Sequence, residues 1–316
     1  MNTDGVVLVT GGCGYVGSRL VPRLLDLGMR VRVLDTQWFG NYLGNLEGLE
    51  VLVGDVRYID NDCFKDVRKV IHLANIANDP GVELNPSLSW EVNVLATQLL
   101  IEKSIKHGIS QFVYASSGSV YGIKSEDQVT EDLELVPISV YNKTKMVAER
   151  VLLSYAPLLP VHIIRPATVC GFSPRMRLDV SVNMLTMQAF KNGTVTVFGG
   201  DQTRPNIHIE DMCRVYEHFL DNDGLPSGPY NAGFENISIL EIAHKVRQHV
   251  DCKISVSESN DLRSYRQDSQ KLLNTGFAPK FTVDDAIEQM VSMWKSGELF
   301  DDDSWYTVKT MKKLGL

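Results

Sequence analysis

The stretch Thr10-Gly11-Gly12-Cys13-Gly14-Tyr15-Val16-Gly17 directly follows an apolar run, Val6-Val7-Leu8-Val9. Its glycines spell both G-x-G-x-x-G and G-x-x-G-x-x-G, and a helical pattern with an apolar face follows. A buried strand, a glycine turn and a helix opening on that turn form a dinucleotide-binding unit, because glycines let backbone approach a pyrophosphate and the helix N-terminus offers free N–H donors. We expect cofactor contacts from Gly11, Gly14, Tyr15, Val16 and Gly17.

The second predicted strand ends in an acid, in the run Val31-Arg32-Val33-Leu34-Asp35. An acid at this strand tip is placed to accept hydrogen bonds from the adenosine ribose hydroxyls, and its charge would repel a 2′-phosphate. The next residues, Thr36 and Gln37, supply no cation to offset that repulsion. The pattern therefore predicts NAD rather than NADP. A capping Asp at a strand end is the purely structural alternative.

Length and composition set the broad class of the protein. The 316 residues suffice for one large domain or two fused ones, with 44% apolar and 22% charged residues. A net charge of −8 gives no electrostatic support for binding nucleic acid or an anionic membrane. Five cysteines without a C-x-x-C pair suggest neither a disulfide framework nor a metal site. A strand beginning by Val6 leaves no room for a signal peptide, and no apolar run approaches the roughly 18 residues of a membrane span. We expect a cytoplasmic protein.

Strand-like and helix-like patterns alternate through the first half of the chain. Further strands are expected at residues 50–55, 69–74, 111–116 and 160–165. This alternation predicts an α/β fold, a Rossmann-type doubly wound parallel sheet, with a smaller C-terminal substrate-binding lobe. We expect residues 1–170 to form the NAD-binding domain and 171–316 mostly the substrate lobe. A segment near 204–222 is expected to return to the first domain.

Tyr141 and Lys145 are four residues apart in a helical pattern, so they share a helix face. A tyrosine with a pKa near 10 is a poor base at neutral pH, but a nearby ammonium and the positive nicotinamide ring would favour the phenolate. Such a phenol can take a proton from a substrate hydroxyl. Ser116 and Ser117 end the fifth predicted strand, where ligands bind in open α/β sheets. The alternatives are a surface Tyr/Lys pair and serines that only cap the strand.

In this order and spacing the motifs resemble the extended short-chain dehydrogenases/reductases of the nucleotide-sugar epimerase/dehydratase group. The resemblance rests on residues 10–17, Asp35, 54–57, 72–74, Asn93, 116–122, Tyr141, Lys145 and Arg165-Pro166. It implies that Ser117, Tyr141 and Lys145 are the catalytic trio and that Lys145 also binds the nicotinamide ribose. Asp55 and Val56 would contact adenine. The remaining implied cofactor contacts are Leu73, Ala74, Asn93, Ser116 and Pro166.

The resemblance also implies that the second lobe binds a nucleotide diphosphate-sugar. Arg204 and Arg263 match the positions that clamp the diphosphate, and a guanidinium suits a phosphate. Without the resemblance, each arginine would be taken for a surface residue, and Asn183 for an ordinary helix residue. The other implied substrate contacts are Ser117, Gly118, Ser119, Thr168 and Asn183. Relatives commonly form homodimers through two helices, and apolar faces at 86–106 and 140–153 would supply that contact here.

Four reactions share this scaffold: 4-epimerisation, 4,6-dehydration, decarboxylation and ketone reduction. Gly118 and Ser119 stand where similar dehydratases carry an acidic pair, so they favour 4-epimerisation by transient oxidation at C4. Thr168 replaces the usual Asn, and the basic segment 172–177 offers Arg175 or Arg177 to a substrate anion. These departures keep an NAD-dependent dehydrogenase or 4-keto reductase as the alternative. A non-catalytic NAD-binding sensor is the third hypothesis, disfavoured because both Tyr141 and Lys145 are present.

Overall fold

The computed structural model describes residues 5–258 and 264–316. The strands are β1 Val6–Thr10, β2 Arg30–Asp35, β3 Leu49–Val53, β4 Val67–His72, β5 Gln111–Ala115, β6 Val161–Pro166, β7 Thr168–Cys170, β8 Thr194–Phe198, β9 Thr203–His208, β10 Gly228–Ala232, β11 Glu235–Ser238 and β12 Lys253–Ser257. The helices are α1 Gly17–Asp26, α2 Asp79–Leu84, α3 Pro86–Trp90, α4 Ala96–Lys106, α5 Val140–Tyr155, α6 Ser181–Asn192, α7 Ile209–Asp221, α8 Ile239–His249, α9 Gln270–Leu273, α10 Val283–Ser296 and α11 Thr307–Leu314.

The main sheet has seven strands in the order β10-β6-β5-β4-β1-β2-β3, and the paired strands run parallel. Chain order reverses between β1 and β4, where Thr10 pairs with Leu34 on one side and His72 on the other. The carboxyl ends of these central strands are therefore level with one another. In open α/β sheets such a switch point is where ligands bind. The predicted doubly wound parallel sheet is confirmed.

Both faces of the main sheet are covered, which explains why its strands are continuous apolar runs. Val6 and Leu8 of β1 belong to an apolar cluster with residues of α4 and α5. Val7 and Val9 point to the opposite face and pack with residues of α1 and α7. The alternation follows from the two-residue period of a strand. Helices on both faces hold the strand ends in fixed positions, which is what a binding site at those ends requires.

The helix expected after Pro86 is interrupted. Residues Glu91–Leu95 form a π-helical turn between α3 and α4. Such turns widen a helix by one residue and frequently occur at functional sites. Here the turn contains the buried Asn93, whose Oδ1 accepts a hydrogen bond from Ile76 N at 2.8 Å and whose Nδ2 donates to Thr144 Oγ1 at 3.1 Å. Asn93 thereby fastens the loop after β4 to helix α5.

The smaller lobe is built on two short sheets, β11-β9-β7 and β12-β8. Its apolar cluster joins buried side chains of α6, α8 and α10. Of the segment expected to return to the first domain, β9 pairs within the smaller lobe, whereas α7 packs on the main sheet. Strand β10 also joins the main sheet, beside β6. Across the described residues, no helix combines the length and apolar character needed to cross a membrane.

Candidate functional site

A cleft of about 680 Å³ opens at the carboxyl ends of the central strands. Its walls come from the glycine loop, the tips of β2 and β5, the start of α5, residues 166–169 and α11. This volume is within the range of small-molecule sites. The cleft therefore coincides with the position that the sheet topology favours for a ligand.

The glycine loop is packed too closely for side chains at two of its positions. Gly11 has φ +73°, and a Cβ there would lie 2.6 Å from Ala74 N. A Cβ on Gly17 would lie 2.5 Å from the backbone oxygen of Gly12. Among the described residues no side chain caps the N-terminus of α1, and its first turn holds no acid. The loop thus presents a helix N-terminus to the cleft, which suits a pyrophosphate.

Asp35 is held rigidly at the tip of β2. Its Oδ2 accepts a hydrogen bond from Cys13 N at 3.0 Å, and its Oδ1 accepts one from Gln37 N at 2.7 Å. Burial raises the pKa of Asp35 above its usual value, while the two backbone N–H groups and the charge of Arg175 oppose that rise. The carboxylate lines the cleft, where it can accept ribose hydroxyls.

Asp55 and Val56 also line the cleft, but the carboxylate of Asp55 is already engaged. Arg57 donates to it from its backbone N–H at 2.9 Å and from its guanidinium at 2.7 Å. Burial opposes ionisation, yet these hydrogen bonds hold the pKa of Asp55 below its usual value. Asp55 therefore stays a charged acceptor in the lining of the cleft.

Lys145 lies behind the cleft wall, with 1% of its surface exposed. Its Nζ donates to Ala115 O at 2.7 Å and to Tyr114 Oη at 3.3 Å, and lies 6.0 Å from the centre of the Tyr141 ring. Burial lowers the pKa of Lys145 to about 7, and Glu149 one turn later opposes that fall. The amine is thus held at the end of β5, next to Ser116 and Ser117.

Tyr141 and Ser117 both line the cleft. Ser117 Oγ lies 2.7 Å from Ser119 Oγ. Burial raises the pKa of Tyr141 to about 12, whereas Ser117 and the charge of Arg177 favour the phenolate. The structure brings Ser117, Tyr141 and Lys145 together, as the resemblance implies.

A buried network supports this group from below. Arg165 Nη2 donates to Glu149 Oε2 at 2.7 Å, and Arg165 Nη1 donates to Tyr121 Oη at 2.7 Å. Ser116 donates its hydroxyl to the same Glu149 carboxylate, so that hydroxyl is already used although Ser116 lines the cleft. A buried ion pair with its remaining hydrogen bonds satisfied fixes side-chain positions more than it stabilises the fold. Glu149 therefore holds Ser116 at the end of β5, and its charge acts on Lys145 one turn away.

Arg177 and Asp179 form a second charged pair in the cleft lining. Arg177 Nε donates to Asp179 Oδ1 at 2.9 Å, and Asn78 Nδ2 donates to Asp179 Oδ2 at 3.2 Å. Burial opposes the charge on Asp179, but Arg177 keeps its pKa below the usual value. Sequence reasoning singled out Arg177 as a possible anion contact but missed Asp179 and Asn78, which no local pattern connects to it.

The expected site residues divide into two groups. The cleft is lined by Gly11, Gly14, Tyr15, Val16, Gly17, Asp35, Asp55, Val56, Leu73, Ala74, Ser116, Ser117, Ser119, Tyr141, Pro166, Thr168 and Arg204. Behind its walls lie Asn93, Gly118, Lys145 and Asn183. The side chain of Asn183 accepts from Gly171 N at 2.9 Å and donates to Tyr15 Oη at 3.0 Å, so it braces the wall. Arg263 lies outside the described residues.

Several cleft residues carried no signal in the sequence. Trp38 and Phe39 follow β2, and Tyr265 lies beside the second lobe. Thr307, Val308, Lys309 and Met311 belong to the last helix, α11. Helix α11 packs against α2, and Thr307 N donates to Asp179 Oδ2 at 3.2 Å. Only the folded chain brings these distant segments to one cleft.

The residues present fit a bound NAD. The glycine loop and the N-terminus of α1 offer close backbone and N–H donors to a pyrophosphate, and Asp35 offers an acceptor to a ribose. When bound, NAD supplies a hydride acceptor and donor at its nicotinamide ring. Ser117 and Tyr141 line the same cleft as the glycine loop and Asp35.

Known proteins were compared with the chain. UDP-glucose 4-epimerase of Halalkalibacterium halodurans is 28% identical over 90% of this chain and 93% of its own length. UDP-glucuronic acid decarboxylase 1 of Arabidopsis thaliana is 27% identical over 94% of this chain and 71% of its own length. The structure of UDP-glucuronic acid 4-epimerase from Bacillus cereus, with UDP-glucuronic acid and NAD, is 26% identical, covers 92% of this chain and 99% of that chain, and has a TM-score of 0.81.

The names of these relatives describe more than one reaction. A family model described as the NAD dependent epimerase/dehydratase family matches residues 7–233, well over half of the chain. That range contains the glycine loop, Asp35 and the Ser117, Tyr141 and Lys145 group. The chain belongs to the NAD dependent epimerase/dehydratase family and uses NAD.

Proposed function

We propose that this enzyme is a nucleotide-sugar 4-epimerase that acts by transient oxidation at C4. The supporting observation is that Tyr141 and Ser117 line the same cleft, where Ser117 favours the phenolate of Tyr141, with Lys145 behind the cleft wall. The residues directly after Ser117 are Gly118 and Ser119, which carry no acid to remove water from a sugar ring. The relationship to 4-epimerases over nearly the full chain supports the same reaction.

In the proposed mechanism Tyr141 accepts the proton of the C4 hydroxyl while Ser117 donates a hydrogen bond to the same oxygen. The charge of Arg177, which favours the phenolate, makes that proton transfer easier. The 4-keto sugar then turns in the cleft, and Tyr141 returns the proton after the other face has been reduced. Lys145 holds the end of β5 in position, and in this proposal its amine also donates to the nicotinamide ribose, as the resemblance implies.

The proposed substrate is a nucleoside diphosphate linked to a hexose or hexuronic acid. Arg204 lines the cleft on the side of the second lobe and is suited to the diphosphate. Arg177, paired with Asp179 beside Tyr141, is placed to receive an anionic group on the sugar. The complex of the Bacillus cereus relative with UDP-glucuronic acid supports a hexuronate as one candidate.

The test is epimer formation at C4, followed by NMR on UDP-glucose, UDP-galactose, UDP-glucuronic acid and their N-acetylated counterparts. We expect one epimer pair to reach equilibrium without added cofactor. Tyr141→Phe should lower the rate about 10²- to 10⁴-fold while the protein keeps its NAD, because only the proton acceptor is removed. Tyr58→Phe is the matched control, since Tyr58 is 74% exposed. No inversion on any nucleotide-linked hexose would contradict the proposal.

A dehydrogenase or 4-keto reductase is the second candidate, favoured by Thr168 and the basic segment that contains Arg177. The two reactions differ in the fate of the cofactor. An epimerase regenerates NAD in each turnover, whereas a dehydrogenase produces a sustained change in the nicotinamide absorbance. A sensor without catalysis would keep its cellular effect in the Tyr141→Phe variant.

We also propose that the enzyme is a homodimer joined through the helical stretch from α3 to α4 and through α5. In support of this, Leu95 is 60% exposed and Trp90 is 37% exposed on the outer side of that stretch. Exposed apolar side chains close together on a helix are typical of an interface.

A further inference from the structure

The segment 171–177, which we call the connector, joins β7 to α6 and crosses the glycine loop. Tyr15 Oη donates to Gly171 O at 2.6 Å, and Ser173 Oγ donates to Tyr15 O at 2.7 Å. Arg175 N donates to Ser18 Oγ at 3.2 Å. These hydrogen bonds are buried, so the connector is fixed to both the glycine loop and the first turn of α1.

The side chain of Arg175 is 3% exposed and yet lines the cleft. Its guanidinium carbon lies 4.1 Å from the centre of the Phe39 ring, in a cation–π contact. Among the described residues, its buried Nε has no hydrogen-bond partner. A buried guanidinium N–H left without an acceptor is costly, so such a group calls for a ligand.

The charges around Arg175 leave its cation incompletely balanced. Asp35 and Asp179 lie within electrostatic range, but Asp35 is bound to two backbone N–H groups and Asp179 to Arg177. Burial, followed by repulsion from Arg177, lowers the pKa of Arg175 to about 10. An anion bound in the cleft beside Arg175 would supply a hydrogen-bond acceptor for its Nε and a negative charge to balance its guanidinium.

We infer that Arg175 is a further cofactor-binding residue, whose guanidinium donates to the pyrophosphate of NAD. The location supports this ligand: Arg175 is anchored to the first turn of α1 and packs on Phe39, which follows the Asp35 strand. A planar guanidinium matches the oxygens of a phosphate. Sequence reasoning found no cation after Asp35, because this one arrives from a remote part of the chain. The inference rests on NAD binding and is independent of the reaction at C4.

The test measures binding of NAD, adenosine and UDP to Arg175→Met by calorimetry and ligand-observed NMR, with the NAD content per protomer after gel filtration as a second readout. Methionine keeps an apolar contact with Phe39 but removes the charge and the donors. We expect a 10- to 100-fold loss of NAD affinity, a lower NAD content, and affinities for adenosine and UDP unchanged within about twofold. Arg30→Met is the control, because Arg30 is exposed at the start of β2, the end opposite to Asp35, and it should leave all three affinities unchanged.

The three ligands separate the possible contacts. An unchanged NAD affinity of Arg175→Met overturns the inference. An affinity for adenosine that falls as much as the affinity for NAD also overturns it, because the guanidinium would then contact the nucleoside. A loss for UDP in place of NAD also overturns it, since the arginine would then bind the substrate diphosphate. Thermal unfolding shows whether each variant is folded. If Arg175→Met does not fold, Arg175→Lys is used, because lysine keeps the charge but lacks the paired N–H donors of the guanidinium. We then expect about a tenfold loss of NAD affinity, and an unchanged affinity overturns the inference.

Discussion

Lys145 shows how burial changes a side chain that the sequence places correctly. Its spacing from Tyr141 predicts a shared helix face, and the two side chains do lie near each other. The spacing gives no indication that the amine is 1% exposed and bound to Ala115 O. Because burial lowers the pKa of Lys145 to about 7, the folded protein holds this proton less firmly than the unfolded chain does.

This difference predicts a pH-dependent effect of Lys145→Met on stability. Between pH 7 and pH 10 the unfolded chain binds more protons at Lys145, so the parent gains stability as pH rises. Methionine removes the cost of burying the charged amine. The free energy of unfolding of the variant, relative to that of the parent, should therefore be highest at or below pH 7. That advantage should shrink by up to roughly 4 kcal/mol by pH 10. Denaturant unfolding at several pH values measures it.

The control is Lys143→Met, on the same helix but with an exposed side chain. Its effect on the free energy of unfolding should stay constant across that pH range. A Lys145→Met difference that is equally independent of pH would show that the lysine keeps an ordinary pKa in the fold.

At the scale of elements, the glycine loop was predictable because close packing requires glycine at particular positions. The spacing of those positions forms a motif that can be read from the sequence. The boundaries of the strands were close, and β4 ends two residues before the expected range does, at His72. The π-helical turn Glu91–Leu95 was not predictable, because it depends on Asn93 reaching the loop after β4. The pairing of the short strands into the two sheets of the smaller lobe also escaped prediction, since β7 has three residues and β9 pairs with strands distant in sequence.

The glycine loop predicts that Gly17→Ala is destabilising. A Cβ there would lie 2.5 Å from the Gly12 backbone, so the loop and α1 must separate. We expect a loss of about 2 kcal/mol and a melting temperature several degrees lower, with weaker NAD binding, because the pyrophosphate cradle moves. Differential scanning calorimetry with and without NAD measures both effects.

Gly224→Ala serves as the control, since a Cβ at this position meets no atom within 4 Å among the described residues. It should leave the melting temperature within about one degree of the parent. Equal effects of the two substitutions would argue that the contact between Gly12 and Gly17 does not limit stability.

At the scale of the whole molecule, the proposed dimer makes a prediction for its exposed apolar surface. Leu95→Lys should shift the protein towards monomer, because a charge on that helical stretch would be buried in the interface without a partner. Light scattering after gel filtration at micromolar concentration measures the mass. Leu158→Lys is the control, since Leu158 is 70% exposed in the turn after α5. A monomeric parent, or an unchanged mass in Leu95→Lys, would contradict the proposed interface.

Sequence reasoning identified the Rossmann-type sheet, the cofactor and most of the cleft wall, because these depend on local motifs at strand ends. It did not find the pair of Arg177 and Asp179 beside Asn78, or the position of Arg175. Those groups depend on how the second lobe is placed over the first. The placement is decided by contacts such as Tyr15 Oη to Gly171 O, which no periodic pattern encodes.

The packing of α11 bears on how the chain folds during synthesis. Met311 is 1% exposed and belongs to the same apolar cluster as Val82 and Leu88 of the cofactor-binding half. A ribosome makes Met311 long after helices α2 and α3, so a nascent chain assembles its main sheet while the apolar surface of α2 that faces α11 is still exposed to water. The cofactor-binding half should consequently fold incompletely when it is produced without the rest of the chain. With α11 present, both halves should unfold together in one cooperative transition.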